Sequence, residues 1–332
     1  MHTPVLLKEV LDYAKQVKRL GGTMYVDVTC GYGGHSYSIY KYLKGDEGSQ
    51  GSSIVLSLEW DPVAIEYLLS EYRGAITDYL EFDHLQHRFV KHSKFVDQYT
   101  IRWILVRSNF AYLDEVLKGL TAFGVPNSID FLLADLGVSS PQLADKERGF
   151  SFAASGVLDM RMAPDQYHVR AADLLNFLSE GELVRLFVDN VGMPRSMAKA
   201  LAWHIVKERS QRRFGGKDDI DRIKRIVSIV KPVRRGAKKR LNPATLVFLA
   251  LRIAVNMELE HLRRLIHISG QLLSKMGIAL FIGFHSAEWA ILASVPSEAG
   301  LKLLEVKVPS SDEVRANIRS RSAKMYVFRH AG

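Results

Sequence analysis

Apolar and polar positions along this chain keep two rhythms. Compact apolar runs that stop at an acid, a Gly or a turn read as buried strands over 24–28, 54–58, 104–106, 129–134 and 278–284, with 302–306 and 325–328 closing the set. Between them apolar residues recur at helical spacing, which predicts helices over 8–18, 35–43, 62–72 and 113–120. A longer helix starts at Pro243, a residue suited to a first helical turn, and keeps Leu246, Leu249, Ala250, Ile253 and Met257 on one face. Strands separated by helices predict a parallel, doubly wound sheet, hence an α/β fold. From 141 to 241 the strand rhythm stops, and helical patterns at 171–178 and 182–188 take over. A helical insertion therefore divides a core made of 1–140 and 242–332. The stretch 45–53 reads as a flexible loop, and 79–102, charged and rich in His, as an insertion ahead of the third strand. The apolar run at 278–284 is far too short to span a bilayer, so no membrane partner is expected.

Charge adds a partner to this picture. The chain has 332 residues, 47% of them hydrophobic, enough for one large domain or two modest ones, and its net charge is +9. Between 195 and 240 stand 16 Lys or Arg against 4 Asp or Glu, a local balance of +12, which leaves the remainder near −3. Arg209, Arg212, Arg213, Arg234, Arg235, Lys238, Lys239 and Arg240 lie close together in that stretch. A solvated helical face is one reading. Clustering on an otherwise balanced chain is the footprint of phosphate-backbone contact, and nucleic acid is the favoured partner. The single cysteine, Cys30, excludes an internal disulfide framework and a Cys-based zinc site, and suits a reducing compartment. The first residues lack the charged-then-apolar pattern of a secretory signal.

Two turns carry the candidate chemistry. The run Phe131-Leu132-Leu133-Ala134 stops at Asp135 and continues as Leu-Gly-Val-Ser-Ser-Pro, the way a buried parallel strand delivers an acid to the carboxyl edge of a sheet. Beyond it, Arg148-Gly149-Phe150-Ser151-Phe152 and Leu158-Asp159-Met160-Arg161-Met162 follow neither period, and such loops on a rigid scaffold usually carry function. The first strand runs into Asp27-Val28-Thr29-Cys30-Gly31-Tyr32-Gly33-Gly34-His35-Ser36, where glycines let a ligand approach the backbone at a helix N-terminus. The second strand ends at Glu59, placed to accept from both ribose hydroxyls of a nucleoside cofactor. Ser36 breaks the six-residue dinucleotide spacing, so S-adenosylmethionine suits the turn better than NAD, and a methyltransferase is favoured over a dehydrogenase. His84, His87 and His92 permit a metal reading, but in a polar insertion without Cys no metal is expected.

The residues in order resemble the ribosomal small-subunit RNA cytosine-N4 methyltransferases, the RsmH or MraW family. The collinear matches are His2 to Leu7, Gly33-Gly34-His35-Ser36, Asp61-Pro62, Asn109-Phe110, the loop from Asp135 to Leu143, and the two irregular loops above. Pro243-Ala244-Thr245, Ala250-Leu251-Arg252-Ile253 with Asn256, Phe284-His285-Ser286, and Asn317 to Lys324 complete them. The resemblance implies a Rossmann-like S-adenosylmethionine-dependent methyltransferase with an inserted helical, basic, RNA-binding domain. By position, Gly33, Gly34 and His35 would hold the methionine end of the cofactor, Glu59 the ribose and Phe110 the adenine, with Asp135 and Gln142 completing the site. Asp135 would accept from the N4–H of cytosine, Ser139 or Ser140 would position the ring, and Phe150 or Phe152 would stack on the extruded base. Arg148, Arg161 and His285 would face the RNA, although Arg161 has Asp159 as a structural partner and His285 could tie a turn instead. Arg252 would anchor to a carboxylate.

The chain departs from the family pattern with Glu59 for Asp, Ala287-Glu288-Trp289 for Leu-Glu-Asp, Gly192-Met193-Pro194 for Gly-Glu-Glu, and an Arg and a Gln lost from the segment after Asn242. Two functions follow: N4-methylation of a small-subunit rRNA cytosine, or, alternatively, a weakened or inactive member that grips rRNA as an assembly factor. The partners implied are small-subunit rRNA, the assembling small subunit and other assembly factors. The mitochondrial matrix is the favoured compartment, the bacterial cytoplasm the alternative.

Overall fold

In a computed structural model that describes residues 4–45, 52–92, 100–153, 155–230 and 243–332, the apolar runs pair into one sheet. Its nine strands among the described residues are β1 (Met24–Asp27), β2 (Ser53–Glu59), β3 (Asp78–Asp83), β4 (Arg88–His92), β5 (Ile101–Arg107), β6 (Ile129–Asp135), β7 (Leu273–Gly283), β8 (Leu301–Lys307) and β9 (Lys324–His330). They lie in the order β4-β3-β5-β2-β1-β6-β7-β9-β8. The pairs β3–β5, β5–β2, β2–β1, β1–β6 and β6–β7 are parallel, whereas β9 runs antiparallel to both β7 and β8. This is the α/β arrangement that alternation of strands and helices predicts, and the Rossmann-like one that the family resemblance implies.

The order places β1 between β2 and β6, so the chain leaves β1 toward one half of the sheet and the other half begins on its far side. The carboxyl end of β1 is therefore the topological switch point, where open α/β sheets bind ligands. On one face, α1 (Leu7–Arg19), α2 (Gly34–Gly45) and α3 (Pro62–Glu71) bury Val10, Ile39, Leu43 and Leu68 against Tyr25, Trp103, Phe131 and Leu280. The remaining helices are α4 (Leu113–Leu120), α5 (Ser140–Ala144), α6 (Ala171–Phe177), α7 (Glu180–Val191), α8 (Arg195–Gln211), α9 (Asp219–Ile229), α10 (Pro243–Asn256), α11 (Glu258–Leu272), α12 (Ser286–Glu298) and α13 (Ser311–Ala316). No described helix is long and apolar enough to cross a membrane.

The chain divides into two compact units, Met1–Gly137 with Glu260–Gly332, and Val138–Leu259. The second ends at Leu259 rather than at the expected 241, because α10 packs on α6, α7 and α9. Other differences have local causes. The expected insertion at 79–102 contains the β3–β4 hairpin, whose ring pair Phe82 and Phe89 sits at 5.3 Å between the half-buried Glu81 and Asp83 and the exposed Arg88, so its charges mask a strand pattern. The long helix expected from Pro243 breaks at Met257, whose φ of 51° is left-handed, and resumes as α11. The basic stretch holds α8 and α9, too charged for their apolar stripes to stand out.

Candidate active site

In the first unit the switch point is built on two buried acids. Asp27 ends β1, and its carboxylate accepts from the Thr29 N–H at 3.1 Å and the Ser36 hydroxyl at 2.6 Å. Ser57 donates to Ser36 at 2.8 Å and the Trp103 indole to Ser57 at 2.8 Å, a polar chain threaded through the core. Burial pushes Asp27 up to about 6. Glu59 ends β2 and collects three backbone donors, Gly31 at 2.7 Å and Trp60 and Asp61 each at 2.8 Å, while burial pushes it up to about 7. Asp61 caps α3 through the Val63 N–H.

The glycine turn is tight against protein. Gly33 has φ +86°, and a Cβ there would stand 2.6 Å from Tyr72 Cε2; a Cβ on Gly34 would stand 2.5 Å from Pro4 Cγ. Both positions exclude a side chain because of neighbours in the fold. His35, buried, has Nε2 3.0 Å from the Val5 carbonyl, so that nitrogen carries the proton and donates. Burial pushes the imidazole down to about 4, and it is neutral. Its ring ties α2 to the N-terminal segment, with Nδ1 3.8 Å from Asp135 Oδ2.

Asp135 ends β6, and its N–H donates to Thr29 Oγ1 at 2.6 Å. About a quarter of its side chain is exposed, yet Oδ1 is buried with no hydrogen-bond partner among the described residues. Burial first, then Asp27 and Glu288, hold its carboxyl well above the usual carboxylate range. At the end of β7, Glu288 Oε2 accepts from the Phe284 and His285 N–H groups at 2.6 and 3.2 Å, and His285 Nε2 lies 3.0 Å from Glu288 Oε1. Trp289, where the family pattern has an acid, donates its indole N–H to the Gly283 carbonyl at 3.0 Å and carries Lys324 above its ring.

Beside β2 and β5 an aromatic cluster forms. The rings of Phe110 and Trp60 meet the edge of His261 at 6.1 and 6.2 Å. Asn109 caps the turn at Ala111 and places its amide 3.1 Å from His261 Nδ1, and burial pushes His261 down to about 4, so it too is neutral. Sequence reasoning does not single out His261, since it sits on a charged helix far along the chain and only folding brings it to Phe110.

The second unit, taken by itself, orders its loops with side chains. Ser139 and Gln142 close a capping box on α5, with Gln142 Oε1 accepting from the Ser139 N–H at 2.8 Å. Ser140 opens that helix. Arg148 Nη2 donates to the carbonyls of Arg161 and Met162 at 2.8 and 2.9 Å, and its guanidinium lies 5.3 Å from the centre of the buried Phe150 ring. Arg161 grips Asp159 through Nε at 2.8 Å and Nη2 at 2.6 Å, and donates to the Pro164 and Tyr167 carbonyls. Met160 takes φ +63°, held by Asn256, whose amide donates to Met160 O and whose Oδ1 accepts from Met162 N. Arg252 pairs with both oxygens of Glu258 at 2.8 Å.

The model of the MraW methylase family matches residues 62–331. The chain belongs to the MraW methylase family. Among its relatives are proteins called Ribosomal RNA small subunit methyltransferase H from Gloeothece citriformis, 36% identical over 98% of this chain and 92% of the relative, and from Heliobacterium mobile, 34% identical over 98% and 97%. The one from Pseudothermotoga lettingae is 32% identical over 98% of each.

For a MraW methylase, the expected RNA face needs correction in detail. Arg148 and Arg161 direct their guanidinium donors into their own loops, and Phe150 is buried rather than presented for stacking. Phe152 meets Phe248 edge-on at 5.5 Å. Arg209 Nη1 donates to the Leu175 and Leu178 carbonyls at 2.6 Å, capping α6. Arg212 pairs with Asp218, and Arg213 lies over Phe177. Arg234, Arg235, Lys238, Lys239 and Arg240 lie outside the described residues. His84 stacks on Tyr112 and His87 pairs with Glu115 at 2.5 Å, each a structural contact.

Proposed function

We propose that the chain transfers the methyl group of S-adenosylmethionine to the N4 amine of a cytosine in small-subunit ribosomal RNA, with Asp135 as the catalytic residue. The observation that carries this reading is the orphaned Oδ1 of Asp135, a buried acceptor at the switch point of a methylase fold. S-adenosylmethionine supplies, when bound, an electrophilic methyl on a sulfonium. Three backbone donors take all but one of the roughly four acceptor sites of Glu59, which leaves it one ribose hydroxyl rather than two. Phe110, Trp60 and His261 suit the flat face of an adenine.

The N4 lone pair of cytosine is conjugated into its ring, so the enzyme's task is positioning. Asp135 accepting an N4–H draws that lone pair out of conjugation. Methylation costs N4 one proton, and the charged form of Asp135 is the acceptor at hand. A sulfonium held near Asp135 would favour that charged form.

Small-subunit rRNA is the relatives' named substrate, and the basic 195–240 stretch supports the same partner here. The matrix of a mitochondrion suits that basic balance, and fractionation of cells expressing the tagged chain tests it. For the reaction, isotope-labelled S-adenosylmethionine and small-subunit rRNA are the assay. Asp135→Asn should lower labelling by about 10²–10⁴-fold while calorimetry still shows cofactor binding. Full labelling by the variant would remove Asp135 from the mechanism, and cofactor binding without labelling by the natural chain would leave an rRNA-binding role alone.

A further inference from the structure

The helix α8 buries Met197, Ala198, Leu201, Ala202 and Ile205 on one side. Its other side repeats every fourth residue: Arg195, Lys199, Trp203 and Lys207 are all exposed. Trp203 is 49% exposed, whereas Trp60 and Trp103 are 9% and 0%. The Lys207 ammonium lies 5.1 Å from the Trp203 ring centre, and His204 stands edge-on to that ring at 4.8 Å. The helix carries one acid, Glu208, which is committed to the buried Arg222 at 2.9 Å. Among the described residues no carboxylate neutralises the cations of the exposed stripe.

A large aromatic held half in water between two cations is an unusual surface. The interior of a protein–protein interface favours Trp but is depleted of Lys, so a Lys–Trp–Lys stripe does not suit a protein partner. It does suit single-stranded nucleic acid, which offers a base for the ring and a phosphate for each ammonium. Lys199 and Lys207 stand about 6 Å to either side of Trp203 along the helix axis, so one nucleotide and its flanking phosphates would meet all three. Of the cations expected to contact RNA from this region, Arg209 instead caps α6 and Arg212 pairs with Asp218.

We infer that the Lys199–Trp203–Lys207 face of α8 is an RNA-binding ridge, on which Trp203 stacks an unpaired base and the two lysines hold the adjoining phosphates. The inference rests on the reading of the chain as an rRNA methyltransferase and adds a binding surface to it. Near the other end of α8, Arg209 ties the end of α6, where Phe177 is 69% exposed with Arg213 over its ring. That second aromatic–cation pair belongs to the same unit and the same chemistry.

The test uses the full chain and a fluorescein-labelled, mixed-sequence single-stranded RNA of about twelve nucleotides, read by anisotropy, with S-adenosylmethionine calorimetry as the control for folding. Trp203→Ala should weaken RNA binding by about tenfold to a hundredfold, and Trp203→Phe should restore most of it. The double variant Lys199→Gln, Lys207→Gln should lower the slope of log affinity against log salt by about 1.4. Cofactor binding should be unchanged in all three. Normal RNA binding by both Trp203→Ala and the double lysine variant overturns the ridge. Equal loss in Trp203→Ala and Trp203→Phe overturns stacking. Variants that bind the RNA normally but fail to sediment with small ribosomal subunits show a protein face instead, which also overturns it. A natural chain that binds cofactor but neither this RNA nor rRNA contradicts the rRNA reading itself.

Discussion

Asp135 ends β6 with one oxygen near His35 and the other without a hydrogen-bond partner among the described residues. Its carboxyl is held well above the usual range by burial and by Asp27 and Glu288. A base must be charged to accept a proton, so methyl transfer should rise with pH as Asp135 ionises, at a pH above that of an ordinary carboxylate. A pH–rate profile checks this, and an acid limb at the ordinary carboxylate value would contradict the burial argument. His35 gives the opposite kind of signal. Its imidazole sits at about 4 against the ordinary 6.5, so the folded protein binds fewer protons there than the unfolded chain between those values. The stability it contributes is complete above 6.5 and is lost as pH falls through 4, about 3 kcal/mol in all. Urea melts across that window should show the loss in the natural chain and a flatter curve in His35→Gln. Asp135 and Glu59 are legible in sequence because a single segment, apolar run then acid, displays each. His261 is not, because its value lies in meeting Phe110 and Asn109 across the chain.

Among the elements, the central strands β1, β2 and β6 follow their apolar runs closely, since burial on both faces confines charge to their ends. β3 and β4 escape that rule at the sheet's edge, where Glu81, Asp83 and Arg88 reach solvent and interrupt the apolar run. The helix expected from Pro243 continues in pattern past its true end, because periodicity does not register a single left-handed residue. Met257 is that residue, with φ 51° and its side chain nearly half exposed. Glycine adopts this conformation without the Cβ clash, so Met257→Gly should raise stability by about 1 kcal/mol. Met257→Ala should leave it nearly unchanged. Denaturant titration of the three proteins distinguishes these outcomes, and a loss in Met257→Gly would mean that the methionine side chain outweighs the backbone strain.

For the molecule as a whole, sequence composition separates a balanced sheet-bearing part from a basic helical one, and the two compact units have that character. The limit at Leu259 is hidden from composition, because α10 is apolar enough for either part and its packing on α6, α7 and α9 decides the matter. Of the residues proposed to hold the cofactor, Glu59 and Asp135 at strand ends, Phe110 after β5 and His261 on α11 lie in the first unit, and Gln142 in the second. Cofactor at about a hundred times its Kd should therefore stabilise the protein by about 2.7 kcal/mol, with slowed hydrogen exchange centred on the carboxyl ends of β1, β2 and β6. Protection confined to Val138–Leu259 would place the donor elsewhere. The central claim is methylation at cytosine N4, and nucleoside mass spectrometry tests it most directly. Small-subunit rRNA incubated with the chain and methyl-labelled S-adenosylmethionine should yield labelled N4-methylcytidine, absent with Asp135→Asn. Label on any other nucleoside, or none while the cofactor binds, would contradict the account.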